Sequence, residues 1–139
     1  MRVMIDTNIL ISSVLNPEGS TAEAFLKALN PSFEPVICDY IVEELHRKFR
    51  EKFPHRIGEL DAFLNQAISF IKVVSTPENS LESESKIRDI KDRPILRAAE
   101  FNHADLLLTG DKDFLESDIK DPRIVSVKEF LSLHPTDGV

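Results

Sequence analysis

Asp6, Glu43, Glu44, Asp92 and Asp111 are the residues of this chain whose type and spacing could do chemistry. Asp6 follows the apolar run Val3-Met4-Ile5, and Asp111 comes shortly after Leu106-Leu107-Leu108. Asp92 opens a helical pattern, and Glu43 and Glu44 lie one turn inside another. In an open α/β sheet, functional groups gather outside the carboxyl ends of the strands, where strand order reverses. Acids from distant parts of the chain can therefore share one end of such a sheet. Two bare carboxylates about 4 Å apart repel by roughly 4 kcal/mol at an effective dielectric near 20, so four together require protons or a cation. An all-oxygen donor set without Cys or His suits Mg²⁺ or Mn²⁺, hard ions that take oxygen ligands.

Each acid also has a purely structural use. Asp6 and Asp92 can cap the helices that follow them, since Asp is a favoured N-cap. Glu43 and Glu44 can pair along their helix with Arg47 and Lys48. Asp111 and Asp113 can form a polar turn. An EF-hand loop starting at Asp111 fails, because its sixth position is Glu116 and its twelfth Pro122. Helical periodicity does not separate Glu43 from Glu44, which flank the Ile41–Leu45–Phe49 stripe on opposite sides. Asp89, three residues before Asp92, leaves a second ambiguity. Joint occurrence at strand ends favours a metal site over separate caps.

The elements that must position these acids alternate. A buried strand is expected at 2–5, a helix at 7–15, and a second helix from Ser20 with Glu23 completing a capping box. Ala22, Phe25, Leu26 and Leu29 would be its apolar stripe. A strand at 35–38 leads to a helix capped by Asp39 and ended by Pro54. Ile57, Leu60, Leu64, Ala67, Ile68 and Ile71 mark a fourth helix, followed by a strand near 72–74. Residues 75–86 have no period and read as a mobile loop. A helix from Asp92-Arg93-Pro94, strands at 105–108 and 123–126, and a short terminal helix complete the chain. The pattern predicts an α/β sandwich around a mostly parallel sheet.

With 139 residues and 15.8 kDa, the chain fits one domain, 1–139. At 42% hydrophobic residues it can bury a core, yet no apolar run reaches a membrane span. Cys38 is alone and Asp6 interrupts any leader-like stretch, so a cytoplasmic, reducing compartment is expected. The glycines at 19, 58, 110 and 138 are too far apart for a dinucleotide fingerprint or a P-loop. No Gly-x-Ser-x-Gly elbow occurs, and His46, His55, His103 and His134 lack zinc spacing. The net charge of −7 argues against nucleic-acid binding by overall field. Basic residues are local: Arg47, Lys48, Arg50, Lys52 and Arg56 after Glu44, and Lys86, Arg88, Lys91 and Arg93 around Asp92. The second group, beside a proposed ligand, is the better phosphate contact. With no Trp and one Tyr, base stacking should be minor.

Together these motifs resemble the PIN-domain nucleases. Ile5-Asp6-Thr7-Asn8-Ile9-Leu10-Ile11-Ser12 is similar to that family's opening. Glu44-Leu45, Lys91-Asp92-Arg93-Pro94-Ile95-Leu96 and Thr109-Gly110-Asp111-Lys112-Asp113-Phe114 resemble its later motifs, in order, over residues 1 to about 116. The subgroup they resemble comprises toxin components of toxin–antitoxin systems. The resemblance implies a three-layer α/β/α sandwich with about five mostly parallel strands and hydrolysis of RNA with Mg²⁺ or Mn²⁺. It implies Asp6, Glu44, Asp92 and Asp111 as the catalytic, metal-binding quartet, Asp113 as an accessory ligand, and Asn8 and Thr109 as supporting polar groups. Lys91, Arg93 and Lys112 would contact RNA. An antitoxin partner and a homodimer are implied at the level of the family.

Three other readings compete. A phospho-receiver domain needs paired acids after the first strand and a late Lys at a strand end; here one acid follows that strand and the late strand ends in Thr109-Gly110-Asp111. A haloacid-type phosphatase needs Asp-x-Asp, which Asp6-Thr7-Asn8 does not supply. A catalytically silent module working through a protein partner would have no need of all four acids.

Overall fold

The computed structural model describes residues 1–134. Residues 135–139, the end of the expected domain, lie outside the described residues. Strand β1 (Arg2–Ile5) leads through helices α1 (Thr7–Leu15) and α2 (Ser20–Ala28) to β2 (Glu34–Cys38). Helices α3 (Asp39–Lys52) and α4 (Ile57–Ala67) then lead to β3 (Lys72–Val74). Helix α5 (Arg93–Phe101) precedes β4 (Leu106–Leu108), α6 (Lys112–Leu115) precedes β5 (Arg123–Val125), and α7 (Val127–Ser132) follows. The five strands form one sheet in the order β3-β2-β1-β4-β5. Every pairing is parallel, as the alternating pattern predicts.

Helix α1 packs against α2, α3 and α4, and the right-handed rule for parallel crossovers assigns α5 and α6 to the opposite face of the sheet. The chain moves one way along the sheet from β1 and the opposite way from β4, so strand order reverses between these neighbours. Ile5 pairs with Leu108, which brings their carboxyl ends level at that point. Both strands are fully apolar there: Val3, Met4, Ile5, Leu106, Leu107 and Leu108 are buried among residues of the helices on either face. Apolar runs this short, buried on both sides, are what a central parallel strand requires.

Four local expectations need correction. Helix α3 has Cys38 as its N-cap and no side-chain cap, so Asp39 lies in its first turn and not at the cap. Helix α2 begins one residue earlier in its hydrogen bonding than its sequence pattern suggests, with Gly19 as N-cap and no side-chain cap. Ser20 is thereby inside the helix and no capping box forms. A Cβ at Gly19 would lie 2.5 Å from the Asn16 side-chain amide, a flexible group that would have to move aside. Leu26 and Ile68, assigned to apolar stripes, are exposed. Residues 75–86 are not uniformly loop: Glu82–Lys86 form a 3₁₀ turn whose Glu84 is buried. The physical reason is a long-range ion pair to Arg97, which local periodicity cannot register.

Helix α5 ends in a Schellman arrangement. His103 takes φ 57°, and the amides of His103 and Ala104 donate to the Glu100 and Ala99 carbonyls. This stop turns the chain directly into β4 and fixes where its carboxyl end falls.

Candidate active site

Asp6 is the first residue past β1. Its backbone amide donates to the Leu108 carbonyl at 3.0 Å, which joins the two strand ends at the reversal point. Its Oδ1 accepts from the Thr7 amide at 2.7 Å, so Asp6 does cap α1. Its Oδ2 accepts from the Thr109 hydroxyl at 2.6 Å. That hydroxyl oxygen in turn accepts from the Asp111 amide at 3.0 Å, and Asp111 Oδ1 accepts from the Asp113 amide at 2.8 Å. A continuous chain of hydrogen bonds thus fixes Asp6 and Asp111 relative to each other. Asn8 joins the same loop by accepting from the Gly110 amide at 3.3 Å. Burial raises the Asp6 pKa to about 6 against the opposing hydrogen bonds of Thr109 and Thr7, and the Glu44 and Asp111 charges add to the rise.

Glu44 projects from the second turn of α3, whose start follows β2, the other neighbour of β1. It is only 5% exposed and accepts from the Thr7 hydroxyl. Arg47 approaches its other oxygen at 3.5 Å. Glu43, by contrast, is exposed to solvent and lines an apolar groove. The structure therefore separates two residues that periodicity leaves equivalent. Thr7 is the supporting residue that sequence reasoning missed: its amide holds Asp6 and its hydroxyl holds Glu44. Its place directly after Asp6 was the available signal.

Asp92 sits at the N-cap of α5 but does not cap it: its backbone is helical and its side chain accepts no cap hydrogen bond. Asp89 does the capping in this segment, accepting from the Lys91 amide at 3.0 Å. Asp92 is 8% exposed, and its Oδ2 is buried without a hydrogen-bond partner. Burial, followed by a shared hydrogen bond with the Asp111 carboxyl and the charges of Asp111, Asp6 and Asp89, raises its pKa to about 8. A buried acceptor with no donor demands an explanation. One oxygen each of Asp89, Asp92 and Asp113 lie within 4.8 Å of one another. Of the acids named from the sequence, this group holds Asp92 and Asp113, with Asp89 in it and Asp6, Glu44 and Asp111 outside it. All these donors are carboxylate oxygens. The set fits a hard divalent cation.

The basic residues divide. Arg88, 84% exposed, places Nη2 2.6 Å from Asp113 Oδ1. Lys91 and Lys112 are exposed beside Asp92 and Asp111. Arg93 is partly committed to the fold, its Nε donating to the Ile87 carbonyl at 2.9 Å. Among the earlier group, Arg47 and Arg50 line a recess of about 400 Å³ that includes Tyr40, Glu44 and His46.

A family model for the PIN domain matches residues 2–113. The chain belongs to the PIN-domain family. Asp6, Glu44, Asp92 and Asp111 all fall within the matched residues, which belong to a family of nucleases. An uncharacterized protein from Methanocaldococcus jannaschii is 30% identical over 122 residues, covering 83% of this chain and 74% of its own. Two solved structures share the fold. A chain of the Rickettsia felis VapBC2 complex, bound to a promoter DNA fragment, superposes with a TM-score of 0.68 at 18% identity, covering 91% of this chain and 98% of its own. A chain of DNA-bound VapBC from Salmonella typhimurium gives 0.64 at 20% identity, with the same coverage. The five-stranded parallel PIN fold is shared with both.

Proposed function

We propose that this PIN protein is an endoribonuclease that hydrolyses RNA phosphodiester bonds with Mg²⁺ or Mn²⁺, and that it is the toxin of a toxin–antitoxin pair. The observation that carries the metal site is the buried, unpartnered Asp92 Oδ2 beside the Asp6 and Asp111 carboxylates. Asp6, Glu44, Asp92 and Asp111 would hold the ion, with Asp113 and Asp89 at its open side. A bound cation of this kind lowers the pKa of a coordinated water and stabilises charge on the departing 3′-oxygen.

The chain's own residues do the rest. Thr109 and Thr7 fix the carboxylate oxygens of Asp6 and Glu44 by donating hydroxyl protons. Holding ligands in place before substrate arrives avoids reorganisation during the reaction. Lys91, Lys112 and Arg93 would meet phosphates at the mouth of the site. The recess that holds Arg47 and Arg50 also holds Glu43 and Glu44, so it adds cationic groups next to the acids without being a positive patch itself. No side chain here is needed as a covalent nucleophile: Cys38 is buried, and burial raises its thiol pKa.

The antitoxin reading rests on the fold shared with chains of VapBC complexes and on an unpartnered apolar face. A groove of about 490 Å³ lies between α1, α3, α4 and β3, lined by Leu10, Ile37, Val42, Phe63 and Ile71 among others. Leu26, Ile68 and Phe70 stand exposed nearby. An antitoxin segment would cover this face, and a homodimer is proposed with it. Among the described residues no helix is long and apolar enough to cross a membrane. The cytoplasmic setting is proposed with the toxin reading and rests on the lone Cys38 of the sequence.

The test is cleavage of RNA by the purified chain without antitoxin. Cleavage is expected with Mn²⁺ or Mg²⁺ and none in EDTA; equal rates in both would overturn the reading. Binding should also stabilise the fold as RT ln(1 + [L]/Kd), roughly 2.7 kcal/mol at a hundredfold excess over Kd. Melting should then rise by roughly 8 °C over a control of matched ionic strength.

A further inference from the structure

The segment that carries Asp89 and Asp92 cannot hold itself in place. It is a 3₁₀ turn, Ile90–Asp92, closed by the Asp92 amide donating to the Asp89 carbonyl at 3.1 Å. Single 3₁₀ turns have poor hydrogen-bond geometry and little intrinsic stability. The carboxylates on it lie against those of Asp111, Asp113 and Asp6, so ionising them to hold a cation sets like charges against one another and pushes the segment outward. Something outside the segment must oppose that push.

Two braces do so, one from each neighbouring helix. On the α5 side, Arg97 makes a two-pronged pair with Glu84, Nη2 to Oε1 at 2.8 Å and Nε to Oε2 at 3.1 Å. Its remaining Nη1 donates to the Pro77 carbonyl at 2.9 Å and approaches that of Glu78 at 3.4 Å. Glu84 is 3% exposed and also accepts from the Leu81 amide. One turn earlier on the same helix, Arg93 holds the Ile87 carbonyl. Together these contacts clamp residues 77–87 onto α5 immediately before the acids. On the α3 side, the Tyr40 hydroxyl donates to the carbonyl of Lys91, the residue directly before Asp92. Tyr40 lies on the helix that carries Glu44. The brace therefore ties Asp92 to another ligand of the proposed set.

We infer that the Glu84–Arg97 pair and Tyr40 are positioning residues of the metal centre, holding the Asp89–Asp92 segment against the mutual repulsion of its carboxylates. None of the three touches the proposed ion. The inference rests on the metal reading above and concerns where its ligands come to lie. An arginine is required at 97, because a lysine ammonium cannot serve a carboxylate in two-pronged fashion and two carbonyls at once.

The experiment is a Mn²⁺ titration of the full chain followed by electron paramagnetic resonance, with Mn²⁺ alone as the probe and no RNA. Arg97→Lys and Tyr40→Phe are compared with the unaltered protein, and metal-free melting is recorded for each. Each variant should bind Mn²⁺ about tenfold more weakly, the low end of what supporting residues contribute to metal affinity. Cleavage lost at low Mn²⁺ should return at high Mn²⁺. A lowered melting temperature with an unchanged Mn²⁺ Kd in both variants would show a merely structural role and overturn the inference. Should Arg97→Lys not fold, Tyr40→Phe, which removes one oxygen, decides the matter by the same criterion. Absence of Mn²⁺ binding by the unaltered chain would overturn the metal reading and this inference together, whereas binding that both variants retain in full overturns this inference alone.

Discussion

The acidic site is built from two halves that reach the same place by different means. Asp6 and Asp111 hang from the ends of β1 and β4, and each oxygen of Asp6 receives a hydrogen bond from a residue next to a strand end. Asp92 hangs from a short connector, and one of its oxygens receives nothing. The sheet half is satisfied without metal; the connector half is not. Ligands set by strand register are thus placed by the fold itself. An acid on a connector is placed by long-range contacts, and its unpartnered oxygen is left for the cation proposed above. The two halves should therefore respond differently to loss of charge.

The largest difference expected is between activity and stability at Asp92. Replacing Asp by Asn removes a charged ligand, so both Asp92→Asn and Asp6→Asn should lower RNA cleavage by about a hundredfold or more, with hard cations losing a carboxylate. Metal-free stability should separate them. Asp92→Asn relieves repulsion and provides an amide for a carboxylate-lined spot, so melting in EDTA should hold or rise. Asp6→Asn exchanges a well-bonded acceptor for a group that accepts through one oxygen only, so melting should hold or fall. Full metal-dependent activity in Asp92→Asn would make Asp92 a bystander and Asp89 the candidate ligand.

Next in size is the pH dependence of the metal-free fold. Both carboxyls have folded-state pKa values above the ordinary 3.8, about 6 for Asp6 and about 8 for Asp92. A raised carboxyl pKa favours the protonated native state, so its stabilisation is complete below about pH 4 and is lost as pH rises through the folded value. The Asp6 share is lost between about pH 4 and 6, and the Asp92 share between about pH 4 and 8. Above pH 6.5 the remaining slope belongs to Asp92 and can reach roughly 1.4 kcal/mol per pH unit. Denaturant titrations in EDTA at pH 6.5 and 8.5 should show this loss in the unaltered chain and in Asp6→Asn. Asp92→Asn should be flat. A slope that survives in Asp92→Asn would erase the distinction between the halves.

How much of this was legible in the sequence follows the same division. The strand-end acids were readable because apolar runs at 3–5 and 106–108 stop at fixed distances from Asp6 and Asp111, and a parallel sheet turns such stops into a shared edge. The alternation of elements likewise foretold the sheet. Residues 75–86, which lead towards that connector, have no period and read as a mobile loop, because Glu84 meets its partner 13 residues later on another element. Asp92 looked like a cap because it precedes Arg93-Pro94; only its helical backbone and unpartnered oxygen distinguish it from one. The capping box at Ser20 failed for a similar local reason, since Gly19 takes the cap position. Patterns with a period were legible, and contacts that depend on tertiary closure were not.

The smallest effect, and the finest test of the sheet half, concerns the pair on α3. Glu43 is exposed, and a surface substitution away from any special contact changes stability by no more than about 0.5 kcal/mol. Glu43→Gln should therefore leave melting, Mn²⁺ affinity and cleavage nearly as they are. Glu44 is buried, accepts the Thr7 hydroxyl and lies within reach of Arg47. Glu44→Gln keeps an oxygen for Thr7, so the fold should lose little, and the repulsion on Asp6 eases. What it loses is charge next to the proposed cation, so Mn²⁺ affinity should fall by about tenfold while metal-free melting moves by a few degrees at most. Calorimetric Mn²⁺ titration of the two variants side by side reads this directly. If Glu43→Gln weakens binding as much as Glu44→Gln, the carboxylates act through their summed field and not through the geometry that separates one face of α3 from the other.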